Sequence, residues 1–430
     1  MEQKLFERKI LARIKGQLAQ GKIQVLVGSR QVGKTSILKY LQQEMSNVIY
    51  LDVDRLADLS MFETADSFLR FIQASRPKKN ETAFVFVDEF QQIPHIGKIL
   101  KAIHDHHADI QFIISGSSSL NIMQHLDESL AGRKRVHSIY PLDFEEYLLF
   151  TGDPYRDYFL STGSFEFVPE LFPHLQHRFE EFIQFGGYPA VSLLDNVTDR
   201  VEEINDIVRS YIEKDIKSFF KIDNILTYNK LLKRLSLNIG NLLNLQAVSG
   251  DVGIVRQELD RYLYLLANTC IIDVVAPFYR NKINELKKMS KLFFVDTGIR
   301  NFLIANVQSL SQRTDRGALV ENAVYSELLK NKALLKEIKF WRTTAKSEVD
   351  FVLLEGEEII PIEVKYQNNV RSIPRTIKSF IDSYHPARAW VITRDQSFRL
   401  TFKKCEVTFL PAFFCCKIMT SRMGEGTSKT

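Results

Sequence analysis

Cysteine is scarce in this chain of 430 residues. Only four are present, Cys270, Cys405, Cys415 and Cys416. No second pair of cysteines or histidines follows at ligand spacing, so the sequence excludes a disulfide framework and a zinc site of the finger type. We therefore expect the four thiols to lie in the core.

Glycine and proline are also infrequent, with 19 and 12 residues, and 45% of the chain is hydrophobic. This composition excludes collagen-like and disordered classes and is typical of globular proteins. No window reaches the roughly 18 consecutive apolar residues of a membrane span. The first residues, MEQKLFER, lack the apolar segment of a signal peptide. We expect no membrane association and a place in the cytoplasm.

The charge balance does not discriminate between classes of function, because the chain has 57 basic and 52 acidic residues. A net charge of +5 permits nucleic-acid binding without requiring it. The length predicts two to four domains. No internal repeat is evident, so the domain boundaries depend on the hydrophobic pattern.

A phosphate-binding loop is the strongest motif. Residues 23–27 (IQVLV) predict a buried strand, residues 28–35 read GSRQVGKT, and a helix is predicted over 35–43. In this context the backbone N–H groups and the helix dipole bind phosphates. Lys34 would neutralise the β- and γ-phosphates, and the Thr35 hydroxyl would bind Mg²⁺. The predicted nucleotide-binding residues are Gly28, Ser29, Arg30, Gln31, Val32, Gly33, Lys34, Thr35, Ser36, Asp88 and Ser117.

A second strand predicts the catalytic carboxylates. The apolar run at residues 83–87 (AFVFV) is followed by Asp88 and Glu89, which is a Walker B pattern. Asp88 would hold Mg²⁺ through water, and Glu89 would polarise the attacking water. The alternative is an acidic pair that faces solvent at a strand end.

Two further residues are candidates for sensing or stabilising the γ-phosphate. A strand at residues 110–114 leads into SGSSS, where Ser117 is the candidate sensor; a serine-rich turn is the alternative. Arg133 follows in LAGRKR and carries the charge that the transition state needs. The sequence leaves open whether Arg133 acts within its own chain, acts across a subunit interface, or belongs to a solvated basic stretch.

These segments, together with YPLDFEEY at residues 140–147, resemble a widespread prokaryotic family of AAA-type ATPases with a C-terminal domain of unknown function. The resemblance spans nearly the whole chain. Members of that family are similar to archaeal ATPases and to signal-transducing NTPases. The resemblance implies a P-loop core, a helical lid and a winged helix, with ATP as the bound nucleotide and hydrolysis as the activity.

The residue pattern in the middle of the chain is typical of a helical lid and a winged helix. FGGYP at residues 185–189, which the family shares, is a turn between lid helices, and residues 201–220 have a helical pattern. Helices predicted at 231–243, 246–250 and 255–266 precede a strand at 270–276, as in a winged helix. Contact with DNA phosphates and docking of a protein partner are the alternatives for this module. Its basic residues are Arg256, Arg261, Arg280, Lys282, Lys287, Lys288 and Lys291.

The C-terminal part contains a candidate metal-dependent site. Strands are predicted at residues 348–354 and 359–365, a helix opens at 317–321, and another lies at 376–384. Side chains alternate along a strand, so Glu363 and Lys365 face the same side and can converge with Asp350. Asp350 and Glu363 would hold Mg²⁺, Lys365 would orient or deprotonate water, and Glu321 would complete the site.

Residues 317–415 resemble the PD-(D/E)xK nuclease fold, although Val349 stands where that motif has proline. The alternative is an inactive nuclease fold that serves as a scaffold. His104, His106 and His107 are interpreted as surface residues of a helix and not as a metal cluster.

The predicted fold class is α/β. It comprises a P-loop NTPase core of the AAA type (1–150), a helical lid (151–225), a winged-helix-like module (226–310), a nuclease-like α/β domain (311–420) and a flexible tail (421–430). Three hypotheses remain for the function. They are an ATP-driven nucleic-acid protein, a regulatory ATPase switch whose C-terminal domain binds DNA or a protein, and an assembly scaffold that hydrolyses ATP negligibly. The sequence leaves the oligomeric state open.

Overall fold

The computed structural model describes residues 5–18, 20–117, 126, 128–163, 168–211, 224–280 and 288–419. The chain forms two compact units. The first consists of Met1–Pro141, Ile207–Asp223 and Asn268–Cys270. The second consists of Leu142–Asp206, Asn224–Ala267 and Ile271–Thr430.

The first unit contains a parallel sheet of five strands in the order β2-β3-β4-β1-β5. Its central strands are apolar on both faces, as expected for strands that helices cover on both sides. Because all five strands are parallel, their carboxyl ends meet at one edge, and β4 lies between β1 and β3. The strands are β1 (Ile23–Gly28), β2 (Val48–Asp52), β3 (Ala83–Asp88), β4 (Ile110–Ser117) and β5 (Lys134–Ser138).

The helices of this unit pack on the sheet through buried apolar side chains. The helix α3 begins after Thr64, whose hydroxyl accepts the backbone N–H of Ser67 and caps the helix. The helices are α1 (Lys9–Leu18), α2 (Lys34–Glu44), α3 (Ala65–Ser75) and α4 (Ile96–His106), with short 3₁₀ helices at Val53–Arg55, Ser60–Phe62 and Phe90–Gln92. The predicted strands at 23–27 and 83–87 and the helix at 35–43 are confirmed to within one residue at each end.

Helices dominate the chain after β5. The helix α5 starts with a capping box, in which Asp143 accepts the N–H of Glu146 and Glu146 accepts the N–H of Asp143. The described helices are α5 (Phe144–Phe150), α6 (Arg156–Ser161), α7 (Phe172–Phe185), α8 (Pro189–Ser192), α9 (Val197–Ser210), α10 (Ile225–Ser236), α11 (Leu245–Val252), α12 (Arg256–Asn268), α13 (Thr297–Leu303), α14 (Arg316–Lys330) and α15 (Arg375–Tyr384). The helix α9 covers the first half of the helix predicted over 201–220, and residues 212–220 lie outside the described residues.

A buried carboxylate fixes the Gly-Gly turn at residues 186–187. Asp296 accepts hydrogen bonds from the backbone N–H of Gly187 (2.7 Å) and of Ile299 (3.0 Å). The second bond caps α13, and burial raises the pKa of Asp296 above its usual range. The turn after α7 is therefore joined to a helix start that lies more than 100 residues further along the chain.

The module predicted as a winged helix consists of α10, α11 and α12 followed by an antiparallel pair of strands, β6 (Ile272–Val275) and β7 (Lys291–Phe294). The first helix begins six residues before its predicted start at residue 231, because the Asn224 side chain accepts the N–H of Thr227 and caps it at that point. The segment between the two strands lies partly outside the described residues.

The C-terminal sheet is mixed, with the order β12-β13-β11-β10-β9-β8. β8, β9 and β10 are antiparallel neighbours, whereas β10, β11 and β13 run parallel. The strands are β8 (Lys336–Arg342), β9 (Glu348–Glu355), β10 (Glu358–Lys365), β11 (Arg388–Thr393), β12 (Phe398–Phe402) and β13 (Cys405–Pro411). The two predicted strands and the helix predicted over 376–384 are confirmed to within one residue.

The cysteines are free thiols. Cys405, Cys415 and Cys416 are buried as predicted, whereas Cys270 is partly exposed. Among the described helices, none is both long enough and apolar enough to cross a membrane.

Candidate functional site

The phosphate loop joins the end of β1 to the start of α2. Gly33 precedes the helix with φ of 95°, a left-handed conformation that glycine adopts without the steric penalty of a side chain. The Lys34 ammonium is buried and donates hydrogen bonds to the carbonyls of Gly28 (3.1 Å) and Ser29 (2.8 Å). The Lys34 ammonium therefore lies against the phosphate loop. Bound phosphates would contact the same ammonium and the N–H groups of the loop.

The other predicted loop residues surround this arrangement. Val32 is fully buried, Gln31 is exposed with φ of 61°, and Thr35 and Ser36 lie partly buried in the first turn of α2. Burial raises the pKa of Glu89, and the charge of Arg30 offsets a small part of that rise.

A buried arginine that the sequence pattern does not reveal is hydrogen-bonded to the backbone of the phosphate loop. Arg8 donates to the backbone carbonyl of Val32 (2.9 Å) and to that of Tyr140 (3.0 Å). A single arginine before the first helix carries no signal of this role, because its partners lie 24 and 132 residues away along the chain.

Asp88 ends β3 at the same edge of the sheet. Its side chain is 1% exposed and accepts hydrogen bonds from the hydroxyls of Tyr50 (3.0 Å) and Ser115. The backbone N–H of Glu89 is also within reach at 3.2 Å. Among the described residues, no basic side chain forms an ion pair with this carboxylate. A bound cation would supply the compensation that a buried charge requires.

Glu89 follows Asp88 in a left-handed conformation, with φ of 58° and ψ of 40°. Burial raises the pKa of Glu89, while the Gln91 amide and the Lys34 ammonium lower it. In the strand register Gly28 lies beside Ser117 and Asp88 beside Ser115, so the phosphate loop and the carboxylates after β3 lie at the same edge of the sheet, on either side of β4. The geometry therefore brings together the lysine, the strand-end aspartate and the adjacent glutamate.

Ser117 ends β4 beside Gly28 in the strand register, and its side chain lies outside the described part of the structure. Its predicted role as a sensor therefore stays a prediction.

The structure corrects one of the alternatives for Arg133. This residue precedes β5, which runs parallel to β1 with Lys134 beside Ile23 at the amino end of both strands. The phosphate loop follows the opposite, carboxyl end of β1. Arg133 forms an ion pair with Asp105 at 2.6 Å, so it does not contact a γ-phosphate bound in its own chain. Only a role across a subunit interface or a structural role remains.

The C-terminal residues predicted as a metal-dependent site converge on one cluster. Glu321 comes from α14, Asp350 from β9, and Glu363 and Lys365 from β10. The Lys365 ammonium pairs with Glu363 Oε1 at 2.6 Å, and Asp350 Oδ2 accepts the backbone N–H of Val364 at 2.7 Å. Glu363 Oε2 is buried and makes no hydrogen bond of normal geometry with the described residues, and the Thr376 hydroxyl, which also lacks such a bond, is close enough to act on the Glu363 carboxyl.

Lys291 also belongs to this cluster, which corrects its interpretation as a contact for DNA. The side chain is 1% exposed, and its ammonium lies 3.0 Å from Glu321 Oε1 and 2.6 Å from Glu348 Oε1. Burial alone would lower the pKa of Lys291, but Glu321, Asp350 and Glu348 raise it above its ordinary value. A buried ammonium cannot reach a phosphate on the surface.

The carboxylates of the cluster are crowded despite these ion pairs. Burial, followed by the charge of Asp350, raises the pKa of Glu321 to about 8 and that of Glu363 to about 7. Burial also raises the pKa of Asp350. Additional positive charge would therefore be favourable here. In the conformation of the described residues, however, no three histidine, cysteine or carboxylate side chains stand at positions that would hold a metal ion.

The remaining basic residues of the middle module have varied surroundings. Arg256 is exposed and pairs with Asp260 at 2.9 Å, whereas Arg280 lies over the ring of Tyr384. Arg261 and Lys288 are exposed, and Lys282 and Lys287 lie outside the described residues. The charges thus do not form one continuous basic face in the part that is described.

The three histidines lie at the end of α4 or just beyond it. The His104 ring is hydrogen-bonded to the Gly21 carbonyl at 2.7 Å, His106 is exposed, and His107 follows the helix. This arrangement agrees with their interpretation as surface residues.

A parallel sheet with a lysine-bearing phosphate loop and a strand-end Asp-Glu pair defines the class of P-loop ATPases. Residues 20–148 match the model of the AAA domain, so the chain carries an AAA-type P-loop ATPase domain. Residues 176–311 and 316–413 match two domains of unknown function, DUF8612 and DUF4143.

The chain is similar to proteins from distant prokaryotes. An uncharacterized protein of Methanocaldococcus jannaschii is 27% identical over 375 residues, which cover 84% of this chain and 79% of that protein. An uncharacterized protein of Haemophilus influenzae is 25% identical over 358 residues, covering 80% and 82%. Among solved structures, a Walker-type ATPase of Pyrococcus abyssi is 15% identical with a TM-score of 0.47, covering 70% of this chain and 96% of that one.

Proposed function

We propose that this protein binds ATP with Mg²⁺ at the carboxyl edge of its parallel sheet and hydrolyses the γ-phosphate. The observation that carries the proposal is that the loop bearing Lys34 after β1 and the Asp88–Glu89 pair after β3 lie at that edge on either side of β4. The preference for ATP over other nucleotides rests on the similarity to AAA-type ATPases.

The residues present suit a magnesium ion. Thr35 offers a hydroxyl and Asp88 a carboxylate, and hard oxygen ligands of this kind are preferred by Mg²⁺. Within the described part of the chain Asp88 is buried with hydroxyl and N–H partners alone, so the ion would supply positive charge. When bound, Mg²⁺ neutralises charge on the β- and γ-phosphates.

The protein residues then divide the work of hydrolysis. The loop N–H groups and Lys34 orient the phosphates, while Tyr50 and Ser115 hold the carboxylate of Asp88. Glu89 orients the attacking water and accepts its proton as the oxygen attacks the γ-phosphorus. Arg133 of a second copy would contribute positive charge only if subunits assemble with that edge near the nucleotide.

Replacement of Lys34 tests nucleotide binding directly. We expect Lys34→Ala to weaken binding of Mg²⁺–ATP by tenfold or more, because a charge-assisted hydrogen bond contributes about 1.5–3 kcal/mol. Equilibrium titration with a fluorescent ATP analogue measures the change. Lys39→Ala, in the same helix and partly buried, is the control and should bind as the wild type does. Equal affinity of Lys34→Ala and wild type would contradict the proposed site.

For the C-terminal domain, we propose metal-dependent phosphodiester cleavage at the cluster of Glu321, Asp350, Glu363 and Lys365. The Oε2 atom of buried Glu363 supports this proposal, because it makes no hydrogen bond of normal geometry with the described residues even though the Thr376 hydroxyl is near, and a metal ion would provide such a partner. Glu363 and Asp350 would hold the ion, and Lys365 would orient the water that attacks phosphorus. The carboxylates would first have to turn away from their ammonium partners.

Cleavage assays decide between this activity and an inactive scaffold. Wild type with Mg²⁺ or Mn²⁺ and ATP should cleave plasmid or oligonucleotide DNA, and Asp350→Ala and Lys365→Ala should fall to the level of the metal-free control. Glu337→Ala, an exposed carboxylate on β8, is a matched control that should retain the activity. No metal-dependent cleavage by wild type would favour the alternative, in which the domain only binds DNA or a protein partner.

The middle module would couple the two activities. Three helices followed by an antiparallel strand pair support the winged-helix interpretation, and exposed Arg256, Arg261, Arg280 and Lys288 are the residues that would contact DNA phosphates. In this proposal ATP binding and hydrolysis at Lys34 regulate the C-terminal domain.

A further inference from the structure

The carboxylate of Glu89 is held in an unusual backbone conformation. Glu89 lies between the end of β3 and the 3₁₀ helix Phe90–Gln92, and its backbone has φ of 58° and ψ of 40°. For a residue with a side chain, this left-handed conformation costs about 1–2 kcal/mol. Such a conformation persists only where the surrounding structure enforces it, and it is common at functional sites. The direction of the Glu89 side chain is therefore set by its neighbours.

Gln91 is the neighbour that contacts the carboxylate. Its amide nitrogen Nε2 donates a hydrogen bond to Glu89 Oε2. Its amide oxygen Oε1 is buried and has no hydrogen-bond partner among the described residues. Leaving a buried acceptor without a partner costs about 1–3 kcal/mol. The Gln91 amide is thus oriented so that its nitrogen binds Glu89, while its oxygen has no hydrogen-bond partner among the described residues.

Gly116 on β4 makes room for this amide. A Cβ atom at residue 116 would lie 2.4 Å from Gln91 Oε1 and 2.7 Å from the ring of Phe90, closer than atoms can approach. Ser115, next to Gly116, donates its hydroxyl to Asp88, so the same strand supports both carboxylates. The absence of a side chain at Gly116 is what allows Gln91 to lie beside Glu89.

We propose that Gln91 is a positioning residue for ATP hydrolysis: its amide, seated against Gly116, fixes one oxygen of Glu89 and leaves the other to orient the attacking water. This inference rests on the proposed ATPase function. In the step that it serves, the water oxygen bonds to the γ-phosphorus, the bond to the bridging oxygen of ADP breaks, and Glu89 takes the proton. Gln91 itself touches neither water nor phosphate.

Substitution of Gln91 should reduce turnover and leave binding intact. We expect Gln91→Ala to lower kcat about 10- to 100-fold, since a small misplacement of a catalytic group has effects of this size. The KM for ATP and the affinity for the ATP analogue should stay within about twofold, because Gln91 does not contact the nucleotide. Gln91→Glu keeps the shape but replaces the N–H donor with an acceptor, so it should lose kcat to a similar extent.

Gly116→Ala tests the contact between Gln91 and residue 116 by adding a side chain at residue 116. The added methyl group should displace the Gln91 amide together with the Phe90 ring, and lower kcat while Gln91 itself is unchanged. If the two residues act through one contact, the double variant Gln91→Ala/Gly116→Ala should be no slower than the slower single variant. The matched control is Gln92→Ala, which removes the adjacent glutamine; that side chain is exposed and donates to Asp54, so kcat should be unchanged.

Each outcome separates the two proposals. Wild type that releases no phosphate overturns the ATPase function, whereas active wild type with an equally active Gln91→Ala overturns only the role of Gln91. A loss confined to nucleotide affinity, or a double variant slowed by the product of the two single effects, would also overturn the positioning role. Melting temperatures of all variants, recorded in parallel, identify any loss of kcat that comes from unfolding.

Discussion

Glu89→Gln should lower the steady-state rate of phosphate release roughly 10²–10⁴-fold, the range expected when a general base is removed. Glutamine keeps the shape of the side chain but cannot accept the proton of the attacking water. Lys34 and the loop N–H groups are untouched, so ATP binding should be retained. The variant is therefore expected to accumulate as a nucleotide-bound form.

Phosphate release and analogue binding, measured on the same preparations, check this result. Glu63→Gln replaces an exposed carboxylate of the same unit and should have the wild-type rate. Substantial turnover by Glu89→Gln would show that another group activates the water. Equal and near-zero rates in wild type and variant would instead favour the assembly scaffold that binds ATP without hydrolysing it.

The phosphate site could be predicted from the sequence because its determinants are local. Strand β1, the glycine loop and α2 follow one another without interruption, and Asp88 is the last residue of the otherwise apolar strand β3. Parallel strands place their carboxyl ends at one edge, so two local motifs are enough to bring Lys34 and Asp88 to the same region.

The position of Arg133 could not be obtained in this way. It depends on the strand order, which places β5 beside β1 and thereby puts Arg133 at the opposite edge from the loop. Nothing in the residues around Arg133 encodes which strand becomes the neighbour of β5. The same pattern of residues would suit a basic segment at either edge.

The buried charged groups could not be predicted from the local residue pattern either. Arg8, Asp296 and Lys291 belong to residue types that are usually exposed, and each finds its partners far away along the chain. Their burial follows from the tertiary fold, which compensates each one by carbonyls, N–H groups or carboxylates. Lys291 is the clearest case, because its neighbours in sequence suggested a surface contact.

Lys291→Met should destabilise the C-terminal sheet by on the order of 3 kcal/mol. Loss of one partner from a buried ion pair costs about 3–5 kcal/mol, because the remaining charge is left without compensation. The side chains of Glu321 and Glu348 are 16% and 24% exposed, and Glu348 keeps Arg342 as a partner, so part of this cost is relieved and the lower end is expected. At roughly 2 °C for each kcal/mol, the melting transition should fall by about 6 °C.

Tryptophan fluorescence during thermal unfolding measures this transition selectively. The chain contains two tryptophans, Trp341 and Trp390, and both lie in the C-terminal sheet. The control is Lys288→Met, which removes an exposed ammonium three residues upstream and should change stability by no more than about 0.5 kcal/mol. Unchanged melting of Lys291→Met would mean that the carboxylates do not depend on this ammonium.

A second substitution separates electrostatics from packing. In Lys291→Met, Glu348 keeps its ion pair with Arg342 at 2.8 Å, whereas Glu321 loses its cation, so adding Glu321→Gln removes the uncompensated charge. Part of the lost stability should then return. Loss of packing around the lysine stem could not be repaired in this way, since glutamine has nearly the same volume as glutamate. Recovery in the double variant would therefore identify Lys291 as an internal counter-ion of the cluster, and a further loss would contradict that role.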